Sequence, residues 1–463
     1  MNVFDTIAAV STPRGKGGIA VIRISGDEAI AIADKVFKPK GSKKLSEIES
    51  NREVWGDIYG EDGVSIDDGM GVCFRAPRSF TGEDTVEISC HGGILVTGAV
   101  LEAVLSAGAR PAEAGEFTRR AFVSGRMSLT QAEALGSLLE AKTHRQMLLS
   151  RAGVKGALSE KIDLLYGKIG DVLSSIYAKI DFPEEDLAEM SREEMENSLR
   201  DIYAEAKKLG DTYKTGRAVS EGIRTVICGK TNAGKSSLYN LIVGREAAIV
   251  TDIEGTTRDI LEETAAFGGV TLRLCDTAGL RDTEDKVESI GVDRARNEIK
   301  EAELILAVFD GTRMPDEEDE SLLTELSGYA GVVVPVINKS DAMTENKALS
   351  EMLSRLGFDN AVRMSAKSGE GKEELASTVD KLFTDGSLDL RYDAIVADAR
   401  QYSAIMRACE KLEAVLAAMD GGYALDLCCI DAECAMSELG EINGKNVRED
   451  IVATIFSRFC VGK

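Results

Sequence analysis

Apolar and polar positions alternate in short runs through the first 120 residues and step by three or four through much of the remainder. The run 18–24 between turn signals reads as a strand, as do 53–59, 71–74 and 85–89. Residues 27–37 and 94–107 carry helical spacing. Three glycine-rich corners, at 13–18, 81–84 and 91–93, can bring backbone close to a ligand, but spacing alone favours ordinary turns between strands. From about 126 to 215 the pattern is helical. Leu158, Ile162, Leu165, Ile169, Leu173, Ile176 and Ile180 form one stripe, which Phe182-Pro183 breaks. Leu199, Ile202, Tyr203, Ala206 and Leu209 form another over 191–213. Residues 393–419, 424–442 and 447–459 predict three more helices, the first two separated by Gly421-Gly422. Such stripes are expected to be core.

Between the helical stretches lies a different pattern. The apolar run Thr225-Val226-Ile227-Cys228 precedes Gly229-Lys230-Thr231-Asn232-Ala233-Gly234-Lys235-Ser236-Ser237, and helical spacing follows over 238–243. Strand, glycine-rich loop and helix in that order predict a phosphate-binding P-loop. The loop amides turn inward around phosphates, Lys235 reaches the β- and γ-phosphates, and Ser236 binds Mg²⁺, with the helix N-terminus adding positive potential. The expected architecture is α/β plus α. It has an N-terminal α+β domain (1–120), a helical domain split into 121–215 and 384–463, and an inserted Ras-like P-loop domain with a mostly parallel sheet (216–383).

Three further signals turn the P-loop module into the pattern of a GTPase. The strand 270–275 ends in Asp276-Thr277-Ala278-Gly279, where Asp276 can hold magnesium through water and Gly279 can approach the γ-phosphate. The strand 332–337 ends in Asn338-Lys339-Ser340-Asp341, and Asp341 can accept two hydrogen bonds from the guanine edge. Two charge-assisted bonds imply roughly 10²–10⁴-fold preference over adenine. Ser365-Ala366-Lys367 would close over the base. Between P-loop and Asp276, Gly255-Thr256-Thr257-Arg258-Asp259 stands where a switch loop belongs, with Thr257 a second hydroxyl ligand for magnesium, and Thr251, Asp252, Ile253 and Glu254 just before it join it as candidate nucleotide-site residues.

Leu280 occupies the position where many small GTPases carry a water-orienting glutamine. Leucine offers no hydrogen bond, so the water falls to one of Asp282, Glu284, Asp285 or Glu288. Glu288, which opens the next helical run after this segment, is the expected water-positioning group. Arg258 and Arg281 could each act as a finger or pair with carboxylates. Asn232 offers another route, since its amide could coordinate a monovalent cation beside the phosphates, with carbonyls and hydroxyls of 251–256 completing the cage.

The formal net charge of the 463-residue chain is −24, which argues against non-specific nucleic-acid binding and confines any RNA contact to a local basic patch or a partner. No apolar run is long enough for a membrane span and the N-terminus lacks signal-peptide character, so a cytoplasmic protein is expected. Nine scattered cysteines suit reduced thiols. Cys428, Cys429 and Cys434 are expected to pack in a core rather than bind metal, and His91 and His144 are assigned no catalysis.

The chain resembles the MnmE (TrmE) family of tRNA modification GTPases over essentially its whole length. The resemblance rests on Thr12-Pro13 with 15–18, 23–26, 79–84, 91–93, 115–117 with 120–122, 131–134, the GTPase signals, and the terminal Phe459-Cys460-Val461-Gly462-Lys463. It implies an N-terminal domain of tetrahydrofolate-binding type that mediates a homodimer. It also implies a flavin-dependent partner, MnmG (GidA), in a heterotetramer. Together they would add an aminomethyl-type or carboxymethylaminomethyl group at C5 of the wobble uridine of tRNAs. A 5-formyl- or methylene-tetrahydrofolate would supply the one-carbon unit. Carried over by motif, Asn232, Thr251, Ile253 and Thr256 would bind potassium, Ser236 and Thr257 magnesium, and Glu288 would position water. Arg23, Glu87, Arg126 and Lys463 would contact folate, and Cys460 is a candidate nucleophile or redox residue, chemistry that requires a thiolate. Thr231, Arg126 and Val461 depart from the family's usual proline, lysine and isoleucine. The alternative function is a ribosome-assembly or regulatory GTPase switch without modification chemistry, and a second rival is an RNA-binding scaffold in which GTP turnover is vestigial.

Overall fold

The computed structural model describes residues 5–13, 15–41, 43–181, 190–244, 263–275, 300–342 and 346–462. They divide into two compact units, one formed by 1–136 with 439–463 and the other by 137–438.

The first unit is built on a seven-stranded sheet: β1 (Ile7–Val10), β2 (Ile19–Ser25), β3 (Phe37–Pro39), β4 (Val54–Tyr59), β5 (Ser65–Phe74), β6 (Thr85–His91) and β7 (Arg110–Pro111), in the order β3-β4-β5-β6-β2-β1-β7. Alternation along the strands sorts side chains to two faces. Ala20, Ile22 and Ile24 of β2 join Val86, Ile88 and Cys90 of β6 on the face buried by the helices Ala29–Val36 and Ile94–Ser106. Arg23 and Glu87 therefore fall on the opposite face. There Ile7 and Ala9 pack with Ala112 and with Phe117 of the helix Glu116–Val123.

That last helix brings charge into the interior. Glu116 and Arg120 are 2% and 6% exposed and pair at 3.1 Å. Arg110 adds a bond to Glu116 at 2.6 Å, Asp5 one to Arg120 at 2.8 Å, and Glu83 lies 3.2 Å from Arg120. Burial alone would push the Glu116 carboxyl up. Hydrogen bonds from Arg110, the Glu113 amide and Arg120 outweigh it and hold the group at about 2, against an ordinary 4.5.

The chain end returns to this sheet. Phe456 of the helix Glu449–Ser457 packs with Leu129 and Ala132, and Val461 bridges to Ala114. Ser11 Oγ donates to the Gly462 carbonyl at 3.1 Å. Gly462 has φ +102, and a Cβ there would overlap the Val10 carbonyl, so only glycine lets the terminal peptide lie against β1.

In the second unit, the helices Ala157–Asp181 and Arg192–Asp211 precede the nucleotide module and Ala399–Asp420 follows it. Arg200 pairs with Asp420 at 2.6 Å and Arg192 donates to the Met419 carbonyl at 2.9 Å, so helices from both flanks pack together. The third helix begins at Ala399 rather than near 393 because Asp398 caps it, accepting from the Arg400 and Gln401 amides. The sheet comprises β8 (Ile223–Gly229), β9 (Glu263–Phe267), β10 (Val270–Leu274), β11 (Leu304–Asp310), β12 (Val332–Asn338) and β13 (Val362–Arg363), in the order β13-β12-β11-β8-β10-β9 with β9 alone antiparallel to its neighbour. One apolar cluster fills each face, which is why β11 and β12 read as continuous apolar runs. The P-loop and Asn338 both sit at carboxyl ends of strands, where open α/β sheets bind ligands.

The strand predicted at 71–74 extends back to Ser65, because its polar first half is used. Asp67 accepts from the His91 backbone amide at 2.8 Å and Asp68 from Trp55 Nε1 at 2.9 Å. The helix Glu116–Val123 escapes a periodicity reading because its buried face carries Glu116 and Arg120. Among the described residues no helix is long and apolar enough to cross a membrane.

The depressed carboxyl makes stability depend on pH. A folded-state value below the unfolded one adds stability that is complete above about 4.5 and is lost as pH falls toward about 2. Glu116→Gln leaves Arg110 and Arg120 undercompensated and is expected to cost about 3 kcal/mol at neutral pH. Urea unfolding of both proteins, repeated at decreasing pH, should show the difference shrinking below about 4.5; a constant difference would mean that the Glu116 charge contributes nothing.

Candidate functional site

β8 ends at Gly229, and the helix Lys235–Val243 starts six residues later. The loop between them turns through Asn232 at φ 63 and Gly234 at φ 103. A Cβ on Gly234 would overlap the Asn338 side-chain amide, so this glycine is required by a close approach as well as by its dihedral. Lys235 folds back over the loop, donating to the carbonyls of Gly229 at 2.9 Å and Lys230 at 2.8 Å. Burial draws its ammonium below its ordinary pKa. A desolvated ammonium held on the loop carbonyls at the start of a helix is suited to anionic oxygens. Ser236 and Ser237 are exposed on the first turn of the helix, Asn232 is exposed on the loop, and Ala233 is buried beneath it.

Asn338 joins this loop to the base-reading loops. It is 3% exposed. Its Nδ2 donates to the Ala233 carbonyl at 2.8 Å, and its Oδ1 accepts from the Ala366 amide at 2.8 Å. The Ser340 amide donates to the Met364 carbonyl at 3.1 Å, which sets the turn bearing exposed Asp341 beside Ser365-Ala366-Lys367. Ser365 is fully buried, and its hydroxyl accepts from the Ser368 amide at 3.2 Å. Lys367 is exposed. Lys339, at φ 68, places its ammonium 2.7 Å from Asp310. Burial pushes the Asp310 carboxyl up, but bonds from Lys339 and Thr312 outweigh it and hold the group below its ordinary range. Asp310 was not selected from sequence, although it shares the signal that selected Asp276, an acid ending a buried strand.

The structure thus brings Asn232, Ala233, Gly234, Lys235, Ser236 and Ser237 together with Asn338, Lys339, Asp341, Ser365, Ala366 and Lys367. Thr251, Asp252, Ile253, Glu254, Gly255, Thr256 and Thr257 lie outside the described residues. So do Asp276, Thr277, Ala278, Gly279, Glu288 and Lys463. Among the described residues no group of three or more His, Cys, Asp or Glu side chains could hold a metal ion. The Ser236 hydroxyl remains a chemically apt magnesium donor at the end of the phosphate loop.

On the open face of the first unit, Arg23 and Glu87 stand directly opposite in the β2–β6 register. Arg23 Nε and a terminal nitrogen both meet Glu87 Oε1, at 2.9 and 2.8 Å. The guanidinium carbon is 5.1 Å from the Phe80 ring centre and 5.7 Å from that of Phe117. These two rings are contacts that sequence reading did not assign. Arg126 is exposed, with its stem beside the Gly82 corner, and is not part of that pair. Cys460 is exposed and its carbonyl accepts from the Gly115 amide at 3.4 Å, whereas Cys428 and Cys429 are buried.

A P-loop, a base-reading Asn-Lys-Ser-Asp turn and a closing Ser-Ala-Lys loop on a mostly parallel sheet define a guanine-nucleotide-binding protein. The family model for the GTP-binding protein TrmE N-terminus matches residues 6–126, and that for the MnmE helical domain matches 129–460. The chain is 41% identical over 464 residues to the tRNA modification GTPase MnmE of Thermoanaerobacter pseudethanolicus, covering 100% of both. It is 40% identical over 460 residues to that of Acetivibrio thermocellus, covering 99% of each, and 38% over 463 to that of Clostridioides difficile, covering 100% of each. The FeoB G-domain of Methanococcus jannaschii aligns at 21% identity with TM-score 0.27, covering 35% of this chain and 98% of that one, a likeness too slight to carry weight. The chain belongs to the MnmE family of tRNA modification GTPases, and is a GTP hydrolase of that family.

Gly234→Ala should drive a methyl into the Asn338 amide and break the join between phosphate and base loops. The expected loss is at least about tenfold in GDP affinity, read with a fluorescent analogue. Affinity within twofold of wild type would mean that the loops are held by other contacts.

Proposed function

We propose that this GTPase is potassium-activated and drives wobble-uridine modification in the cytoplasm, working as a homodimer with the flavoprotein MnmG (GidA). The 1–120, 121–215, 216–383 and 384–463 segments would serve as folate-binding and dimerisation domain, first helical part, nucleotide domain and second helical part. What carries the reading is that one chain of this family combines the three-loop guanine site with the Arg23–Glu87 pair.

Each group then has a task. The loop amides and Lys235 hold the β- and γ-phosphates, and Asp341 accepts the guanine N–H groups. Ser236 and Thr257 would hold magnesium, and Asn232, Thr251, Ile253 and Thr256 potassium. When bound, these cations neutralise phosphate charge. Glu288 would orient the attacking water that Leu280 cannot. Arg23, Glu87, Arg126 and Lys463 would hold a 5-formyl- or methylene-tetrahydrofolate. Arg23 already spends two donors on Glu87 Oε1, so its task is to hold that carboxylate in one orientation, leaving Oε2 for ligand N–H groups. The terminal Lys463 follows Gly462, which is anchored at Ser11, two residues beyond the Ala9 that pairs with Arg23.

Deleting the gene should remove the modified wobble nucleoside from bulk tRNA, read by mass spectrometry, and re-expression should restore it. An unchanged nucleoside profile would favour a GTPase switch without modification chemistry. GTP turnover should be at least about tenfold faster in potassium than in sodium; equal rates would remove Asn232 from the proposed cation site.

A further inference from the structure

Phe267 of β9 faces Val270 of β10 across an antiparallel pair, so Gly268 and Gly269 form a two-residue hairpin tip. Gly268 has φ +60, and a Cβ there would stand 2.9 Å from the Ala376 carbonyl. A Cβ on Gly269 would overlap both the Arg145 guanidinium and the Asp380 carboxylate. The tip backbone therefore lies flush against an ion pair, Arg145 with Asp380, at 3.2 Å. Asp380 belongs to the helix Lys372–Phe383 of the nucleotide module, and its Oδ1 also accepts from Thr384 Oγ1 at 3.0 Å.

Arg145 comes from elsewhere in the chain. It is the second residue of the helix His144–Val154, whose start is held by a reciprocal cap between Thr143 and Gln146. Gln146 donates from Nε2 to the Ser220 carbonyl at 2.9 Å, just before β8. The start of this helix is thus tied at two points to the nucleotide module. One is the chain leading through β8 to the P-loop. The other is the tip of the hairpin whose second strand leads to Cys275 and then Asp276.

We propose that Arg145 and Asp380 form a positioning latch that passes movement of the β9–β10 hairpin, caused by a change of bound nucleotide, into the helix His144–Val154. A paired hairpin is stiff along its strands, so a shift at its nucleotide end reaches its tip. With glycine at both tip positions no side chain cushions that shift, and it falls on the ion pair. Both partners are about one-third exposed, so the pair is weak enough to open and close. The latch rests on GTP binding by this chain and on neither the modification nor the folate reading. Among the described residues it joins the helical part of the chain directly to the hairpin tip.

Hydrogen exchange on the full chain tests it. With GDP and with a non-cleavable GTP analogue, amides of residues 144–154 should differ in exchange rate by at least about fivefold. Arg145→Glu and Asp380→Arg should each abolish that difference, and the double charge swap should restore it, while GTP turnover stays within about twofold in all three. Gly269→Ala, which wedges the pair from below, should act like either single change. The proposal is overturned if wild type shows no nucleotide-dependent difference, if the difference survives Arg145→Glu, or if the swap fails to restore it. Failure of wild type to bind the analogue, seen in a separate titration, would instead bring down the nucleotide site itself.

Discussion

One planar amide holds the nucleotide site together. Asn338 is buried, and its amide uses a donor on the phosphate loop and an acceptor on the loop that closes over the base. Those partners are 105 and 28 residues away in the chain, so no local propensity could set their separation. Leaving such a group unmatched costs about 1–3 kcal/mol, which the two bonds avoid by fixing one geometry. Gly234 allows the approach, Lys235 closes the phosphate side, and Asp341 stands three residues beyond Asn338 for the base. Phosphate and guanine recognition are therefore mechanically one feature.

The first unit uses a comparable device with charges. Glu116 and Arg120 enter the interior on one short helix and are matched by Arg110, Asp5 and Glu83. That matching fixes the helix that lays Phe117 beside Arg23, and it fixes the Thr81–Gly82–Glu83 corner next to Phe80, where Ser25 Oγ donates to Glu83 at 2.8 Å. The open face of the sheet thus presents Arg23 and Glu87 from a rigid setting, with the chain terminus pinned close by at Gly462.

The P-loop, the Asn-Lys-Ser-Asp turn and the closing loop were legible because their chemistry needs particular residues at contiguous spacing. The long helices were legible because Leu158 to Ile176 and Leu199 to Leu209 keep a strict apolar period, although Ile180, expected in the same core stripe, is exposed. Elements stabilised by distant partners were not. β1 and β7 are short and depend on pairing across the sheet, and β9 is an edge strand that acquires meaning only from β10. The helix Glu116–Val123 hides its burial behind charge, and the polar half of β5 is held by His91 and Trp55. The role of Asn338 as a strut and the closure of Arg145 over Gly269 are likewise three-dimensional facts. Lys230, read only as a loop residue, pairs with Asp316 and with Glu318 at 2.9 Å.

Titration of GTP and ATP into the full chain and into its Asn338→Ala variant tests the central claim most directly. If one amide unites phosphate and base recognition, wild type should prefer GTP by roughly 10²–10⁴-fold, and the variant should lose both GTP affinity and most of that preference. A variant that kept wild-type GTP affinity and the same preference over ATP would contradict the account.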